Sequence, residues 1–533
     1  MTQSESARHH SDVLIIGSGI SGASAALMLA GEGLEVTLVT KEREPGESST
    51  WYAQGGIAGL GNDDSPELLA RDIMQAGDHY CYKEAVDAVT AEGPGLLSDF
   101  LIRMAGVKFD RDKGGAYDLT REAAHSRRRI YHYRDATGSQ IESQLIERLS
   151  SHRHINLLCS HQAIDLITFP HHSKNYARIY EDDICCGAYI LDLATGQVKT
   201  FFASSVILAT GGIGQVYLHT TNPHCATGDG VAMAYRAGAR IINAEFVQFH
   251  PTALLSRDDE RFLISEALRG EGARLLTKRG ELFMKKFAPD LGDLAPRDVV
   301  SRAIHEEMTA SGDNYVLLDI AHYKKEGLDI KKRFPTIFRK CREYGIDITK
   351  EPIPVVPVAH YFCGGVKTDL HGETTVKNLY AVGETACSGV HGANRLASVS
   401  LLEGLVWGIR AARRICEQFS RDSVAFDEVP GWQSPSWEED MDPVLILQDW
   451  HTIKTTMWNY AGIVRTRKRL SRAYSDMNYL HHRIMKFYKE SALTRGLIEL
   501  RNAIIVARLI IEQALQNKES RGCHYLREGG KYE

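Results

Sequence analysis

Val13-Leu-Ile-Ile-Gly-Ser-Gly-Ile-Ser-Gly22 sets the frame in which every later segment is read. Its first four residues form the short apolar run expected of a strand buried on both faces. A G-x-G-x-x-G spacing follows at Gly17, Gly19 and Gly22, and then an Ala- and Leu-rich segment expected to be helical. In that context each glycine has a job. The first permits the tight turn, the second lets backbone approach a pyrophosphate, and the third lets helix and strand pack closely. A second strand is expected at Glu35-Val-Thr-Leu-Val-Thr40. Strand, glycine turn, helix and strand together predict a dinucleotide-binding unit; an ordinary glycine-rich βα turn is the alternative. The acidic residue that usually ends the second strand and meets the ribose is missing, because Thr40-Lys41 stands there. Lys41 reads equally as a phosphate partner or a solvated ammonium, so this position does not identify the nucleotide.

A chain of 533 residues is too long for one ordinary core, and two to four domains are expected. With 43% hydrophobic and 25% charged residues it reads as globular. The formal charge of −5 argues against bulk nucleic-acid binding. The polar start from Met1 to Asp12 lacks a signal-peptide apolar region, and no stretch approaches the length of a membrane span. Ten scattered cysteines without C-x-x-C pairs read as reduced cytosolic thiols, which predicts a cytoplasmic protein. His360-Tyr-Phe-Cys363 has no second half, so no metal is expected.

Further along, Ser48-Ser-Thr-Trp-Tyr-Ala-Gln-Gly-Gly-Ile-Ala-Gly59 combines small residues that let backbone lie against a flat ligand with apolar ones unsuited to a free loop. Ser65 to Gly106 reads as helical. Asp118-Leu-Thr-Arg-Glu-Ala-Ala-His-Ser-Arg-Arg-Arg-Ile130 is either a solvated charged face or a lining segment carrying Glu122 and His125. Val206-Ile-Leu-Ala-Thr-Gly-Gly212 is a further buried strand ending in glycines, and Thr227-Gly-Asp-Gly230 opens a helix. An insertion is expected from Ile241 to Pro354, carrying His250, Ser265, Glu266, Arg269 and Arg297, with a helix starting just after Pro296. The sheet domain is expected to resume at Val355 and to include the strand Asn378-Leu-Tyr-Ala-Val-Gly-Glu384. Ala425 to Val444 reads as a linker. Beyond it, Leu470, Ala473, Met477, Leu480, Ile484 and Phe487 step by three and four, as do Leu497, Leu500, Ile504, Ala507, Ile511 and Ala514. Each set makes one apolar stripe, predicting helices that pack antiparallel with a third from Leu445 to Tyr460. The basic cluster Arg465 to Arg472 reads as a solvated face.

Seven segments now point one way. They are Tyr52-Ala-Gln-Gly-Gly-Ile-Ala58, Gln248-Phe-His-Pro-Thr252, Glu266-Ala-Leu-Arg-Gly-Glu-Gly272, Ala295-Pro-Arg-Asp298, His360-Tyr-Phe-Cys-Gly-Gly365, His391-Gly-Ala-Asn-Arg-Leu-Ala397 and Glu519-Ser-Arg-Gly522. With them, nearly the whole chain resembles the succinate dehydrogenase and fumarate reductase flavoprotein family, and within it the L-aspartate oxidases. The resemblance implies an α/β fold: an FAD-binding Rossmann-like domain (1–240 and 355–424), an inserted α+β capping domain (241–354) and a C-terminal three-helix bundle (425–533). It implies FAD on Gly17, Ser18, Gly19, Ser21, Gly22, Lys41, Ser48, Ser49, Gly55, Gly56, Asp229, Glu384, Ser400 and Leu401. His250, Ser265, His360 and Arg395 are implied to bind the substrate carboxylates. Arg297 is implied to stand at the reacting carbons with Glu266 and Arg269 behind it, and Glu122 to meet the substrate amino group.

Three functions compete at this level. The first is oxidation of L-aspartate to iminoaspartate, the first step of de novo NAD biosynthesis, with oxygen or fumarate reoxidising the flavin and quinolinate synthase as a functional link. The second is a succinate dehydrogenase or fumarate reductase flavoprotein. The third is a non-catalytic flavin-binding or tRNA-associated protein, which would not need the full His and Arg set. In the membrane-bound relatives a histidine just before the flavin loop carries covalent FAD; Ser49 stands there, so FAD is expected to be non-covalent. Two departures from the family pattern are Ala123-Ala124 in place of Gly-Gly, and Val399 in place of Asn between Ser398 and Ser400.

Overall fold

The computed structural model describes residues 8–256, 261–420, 426–433 and 442–527. The first strand, Arg8–Ile16, lies at the centre of a seven-stranded sheet. On one side it pairs in parallel with Val36–Val39, which pairs with Ile155–Leu158. On the other it pairs in parallel with Val198–Leu208. That long strand changes partner along its length. Its first half takes antiparallel Cys185–Asp192, followed by His161–Thr168, and its last three residues take parallel Leu379–Ala381. Val13 to Ile15 are fully buried, as a central strand covered on both faces requires. The expected helix is Ile20–Gly31, and it packs on the helix Val399–Gln418. Gly17 has φ 113°, and a Cβ there would collide with Ala209 O; a Cβ at Gly22 would collide with Gly17 O. The glycine spacing is therefore fixed by steric contact before any ligand is considered.

Ser65 to Gly106 is helical, as expected, but in two pieces. Pro66–Ala76 ends where Asp78 and His79 take positive φ, and Lys83–Leu96 continues into a wider-turned stretch, Leu97–Ala105. The inserted segment builds its own four-stranded sheet from Val247–Leu254, Arg274–Leu276, Val316–Asp319 and Ile353–Phe362. The chain thus returns to the main sheet later than the expected Val355. Val355 pairs with Leu254 and Val316 inside the inserted sheet, and the main sheet is rejoined at Leu379. The helix Arg297–Ser311 covers this second sheet, with the Ser301 hydroxyl donating to Phe249 O at 2.8 Å. Asp135, on the other side of the cleft, accepts from the N–H groups of Thr336 and Ile337 at 2.8 and 2.9 Å, capping the inserted helix Pro335–Glu343.

The C-terminal helices run Pro443–Ala461, Arg467–Glu490 and Arg495–Gln516, and both apolar stripes are buried between them. Residues 425 and 434–441 of the expected linker lie outside the described residues. The basic cluster divides. Arg467, Lys468 and Arg472 are exposed, but Arg465 is fully buried and donates to the carbonyls of Gly462 and Glu245 at 3.0 and 2.8 Å. A guanidinium can satisfy several carbonyls at once, so a residue expected on a solvated face serves as an internal strut.

Candidate active site

A cleft of about 980 Å³ runs from the glycine turn to the inserted sheet. Gly17, Ser18, Gly19, Ser21, Lys41, Ser48, Ser49, Gly55, Gly56, Asp229, Glu384, Ser400 and Leu401 line it; Gly22 stands behind, in the packing of the turn. At one end, no side chain caps the helix Ile20–Gly31 from Gly19, leaving first-turn N–H groups to meet an anion. Ile20 N–H is the exception, held by Thr50 Oγ1 at 3.0 Å. Ser48 donates to Glu142, a fully buried acid that burial holds well above the ordinary carboxylate range. This pair anchors the loop expected to lie beside the flavin. Glu384 accepts from Phe362 N–H at 2.9 Å and is raised by burial to about 7. A Cβ at Gly212 would collide with its carboxylate, so glycine makes room for it. An anion-ready helix end, a glycine-lined wall and the Glu384 carboxyl along the same cleft fit a dinucleotide such as FAD.

Two expected cofactor residues are spent internally. Lys41 Nζ donates to Thr227, Asp229 and Glu499 at 2.7, 2.8 and 2.7 Å, which uses all three of its N–H groups. Asp229 takes Lys41 on one oxygen and Asn502 on the other at 2.8 Å. What Lys41 can offer a nucleotide is its backbone. Its side chain ties the second strand to the C-terminal helices.

At the far end the inserted segment and the main domain bring together His250, Ser265, Glu266, Arg297, His360, Arg395 and Glu122. Arg297 opens its helix directly after Pro296, and its Nε donates to Glu266 Oε2 at 2.5 Å while Nη1 donates to Gln248 at 3.1 Å. Arg269 stands behind Glu266 at 3.5 Å, fully buried, and donates to Asp293 O. Burial works to raise Glu266, but Arg297 and Arg269 outweigh it and hold the carboxyl below its ordinary value. A second cavity of about 1340 Å³ reaches Glu122, His125 and Arg269 from the side opposite the cleft.

The two histidines are neutral donors. Burial, then Arg297, pushes His250 well below the imidazole range; burial, Arg297 and Arg395 do the same to His360. Thr252 N–H donates to His250 Nδ1 at 3.2 Å, so the neutral ring carries its proton on Nε2. His360 Nδ1 is paired with the Thr221 hydroxyl at 2.9 Å. The Ser265 hydroxyl accepts from Ala267 N–H. Arg395 lies over the Tyr361 ring at 4.2 Å and donates to Ser400 Oγ, and among the described residues its buried Nε has no hydrogen-bond partner. Arginine forks beside neutral imidazole donors suit a ligand with two carboxylates.

The charged segment before Ile130 is both things it was expected to be. Arg121, Arg127 and Arg128 are exposed; Glu122, His125 and Arg129 are buried. Arg129 pairs with Asp64 and Asp72 at 2.8 and 2.9 Å, and Asp72 holds Ser126 N–H, which fixes the loop. Glu122 therefore does not pair with a surface arginine. Its carboxyl is raised by burial and by Glu266, against Arg297, Ser398 and Arg395. The departures also have outcomes. Ala124 takes φ 65°, the conformation a glycine would adopt freely, and Val399 is fully buried in the apolar core.

Sequence reasoning did not single out Gln248, Asn394 or Glu142 as site residues. Gln248 donates to Asn394 Oδ1 and to Arg395 O at 2.7 and 2.8 Å while accepting from Arg297, so it bridges Arg297 and Arg395. Its place two residues before His250 on one strand was the available signal.

Residues 12–401 match the model of the FAD binding domain, and residues 450–530 that of the fumarate reductase flavoprotein C-terminal region. The L-aspartate oxidase of Pseudomonas aeruginosa is 45% identical over 98% of this chain and 96% of its own length, and that of Acinetobacter baylyi 44% over 97% and 93%. Among solved structures, E. coli quinol fumarate reductase superimposes with a TM-score of 0.87 at 28% identity, covering 98% of this chain and 92% of that one. The chain belongs to the L-aspartate oxidase family, within the flavoproteins that share the FAD-binding and fumarate reductase C-terminal domains.

Proposed function

We propose that this protein oxidises L-aspartate to iminoaspartate with non-covalent FAD, the first step of de novo NAD biosynthesis, and that the same site reduces fumarate. The observation that carries the reading is Glu122. It is the second buried acid of a pocket that also holds Arg297, Arg395, two neutral imidazoles and Glu266, and Glu266 is already paired with Arg297. Glu266 is matched by Arg297 and Arg269, whereas Glu122 is held by the Ser398 hydroxyl, and an amino acid brings an ammonium for it to meet.

FAD, when bound, takes up the hydride. The protein's part is to bind, orient and move protons. Arg395, His250, His360 and Ser265 hold the two carboxylates. Glu122 orients the amino group. Arg297 serves as proton donor in the direction of fumarate reduction, resupplied through Glu266 and Arg269 from the second cavity. The inserted segment acts as a cap, joined to the main domain through Asp135, and its closure excludes water. Oxygen or fumarate reoxidises the flavin, the product passes to a quinolinate synthase, and the setting is the cytoplasm. Among the described residues no helix is long and apolar enough to cross a membrane.

The test is anaerobic mixing of the flavin-loaded protein with L-aspartate or succinate while the flavin absorbance is followed. L-aspartate should bleach it, and faster than succinate does. Bleaching by succinate alone would favour the second reading, a succinate dehydrogenase or fumarate reductase flavoprotein, which the likeness to E. coli quinol fumarate reductase supports. Acid precipitation should release the flavin into the supernatant, because Ser49 offers no imidazole for a covalent link; colour in the pellet would refute non-covalent binding.

A further inference from the structure

Ser398 departs twice from what its position calls for. It directly precedes the helix Val399–Gln418, where a serine ordinarily caps by accepting from a first-turn N–H, yet its side chain makes no such bond. Its backbone stands at φ 59° and ψ 6°, a left-handed conformation disfavoured for any residue with a Cβ. Departures of this kind persist where surrounding structure enforces them. Here both serve one contact. The Ser398 hydroxyl donates to Glu122 Oε2 at 2.5 Å, with both residues buried. Ser398 O in turn accepts from Ala58 N–H at 2.9 Å, which fixes the residue against the strand following Gly55 and Gly56. The other oxygen of Glu122 lies against Gly55, where a Cβ would collide with it.

We propose that Ser398 is a positioning residue for amino-group selection. This rests on the reading of Glu122 as the partner of the substrate amino group. Glu122 lies within electrostatic reach of Arg297 and Arg395, and an unrestrained carboxylate would turn toward them. Ser398 holds one oxygen, which leaves the other at Gly55 for the substrate ammonium. A hydroxyl donated to a carboxylate also favours its charged form, against burial and the charge of Glu266. Ser398 thus controls both the direction and the ionisation of the acid.

The test uses flavin-loaded Ser398→Ala and Ser398→Gly. Both remove the hydroxyl, but only glycine relieves the backbone. In both, KM for L-aspartate should rise about tenfold, the size of a lost hydrogen bond to a charged group. The ratio of aspartate oxidation to fumarate reduction should fall, and the acid limb of the aspartate pH profile should move to higher pH. Adding Ser398→Ala to Glu122→Gln should produce no further loss. An unchanged KM and acid limb in both variants would overturn the proposal. So would a glycine variant that behaves as the parent while alanine does not, since the backbone alone would then matter. If Ser398→Ala loses its flavin, Ser398→Gly carries the test. If Glu122→Gln leaves aspartate turnover intact, the reading of Glu122 itself fails and takes this proposal with it.

Discussion

At the scale of single residues, Glu122 separates an amino-acid oxidase from a plain dicarboxylate enzyme. Aspartate and succinate differ by one ammonium. The pocket around Glu122 contains Arg297, Arg395 and two imidazoles that burial keeps neutral. Arg297, Arg269 and Arg395 outnumber Glu266 here, so without the Glu122 carboxylate the local field repels the ammonium, and where water is excluded that field is weakly screened. Glu122→Gln keeps the size and removes the charge. Aspartate oxidation should fall by one to two orders of magnitude, at about 1.4 kcal/mol per tenfold, while fumarate reduction, which has no ammonium to hold, changes little. Steady-state kinetics in the two directions check this. If both directions fell together, Glu122 would be a general structural or catalytic group and its selective role would be lost.

At the scale of elements, the loop carrying Glu122 holds a measurable strain. Ala124 sits at φ 65°, where a β-carbon costs about 1–2 kcal/mol. The loop is nevertheless fixed, because Asp72 holds Ser126 on one side and Thr120 pairs with Ile130 on the other. Ala124→Gly should therefore stabilise the folded state by up to about 1 kcal/mol, offset in part by the greater freedom of glycine in the unfolded chain. Denaturant titration of the variant against the parent measures it. A loss of stability would mean that the loop depends on the methyl group of Ala124 for packing.

Over the whole molecule, buried titratable groups set the response to acid. Burial lowers His125 and His132 to about 4 and His524 to about 3, and lowers His250 and His360 well below the usual range. Each of these must be neutral in the fold but protonates in the unfolded chain near pH 6.5, so each contributes stability above that pH and loses it on acidification. Glu122, Glu142 and Glu384 are raised and act in the opposite sense, binding protons in the fold that the unfolded chain has released. His9, His172, His305 and His481 are lowered by burial too, so the histidines outnumber the three acids. The melting temperature of the flavin-loaded protein should therefore fall from pH 7 to pH 5; a rise would show that the acids dominate. The same groups mark the limit of what the chain reveals unaided. The glycine turn, the C-terminal stripes and most site residues are legible because they depend on local spacing or on whole motifs. Glu142, on the helix Thr137–Ser151, reads as one more polar residue, and Arg465 as one more surface charge. Only the pairing of distant segments makes them interior, and no local pattern carries that information. Gln248 sits inside a quoted motif and Ser398 directly follows one, but their partners lie 146 and 276 residues away.

The brace on the arginine loop has a consequence for biosynthesis. Cys523 N–H donates to Ala393 O at 3.0 Å, and Arg302 donates to Gly522 O at 2.8 Å. Residues 519–527 thus clasp both the loop of Arg395 and the helix of Arg297. They are translated long after either arginine. A nascent chain that has already folded its central sheet still lacks the clasp over its anion pocket. The pocket around Arg297 and Arg395 is therefore braced only once residues 519–527 have been made.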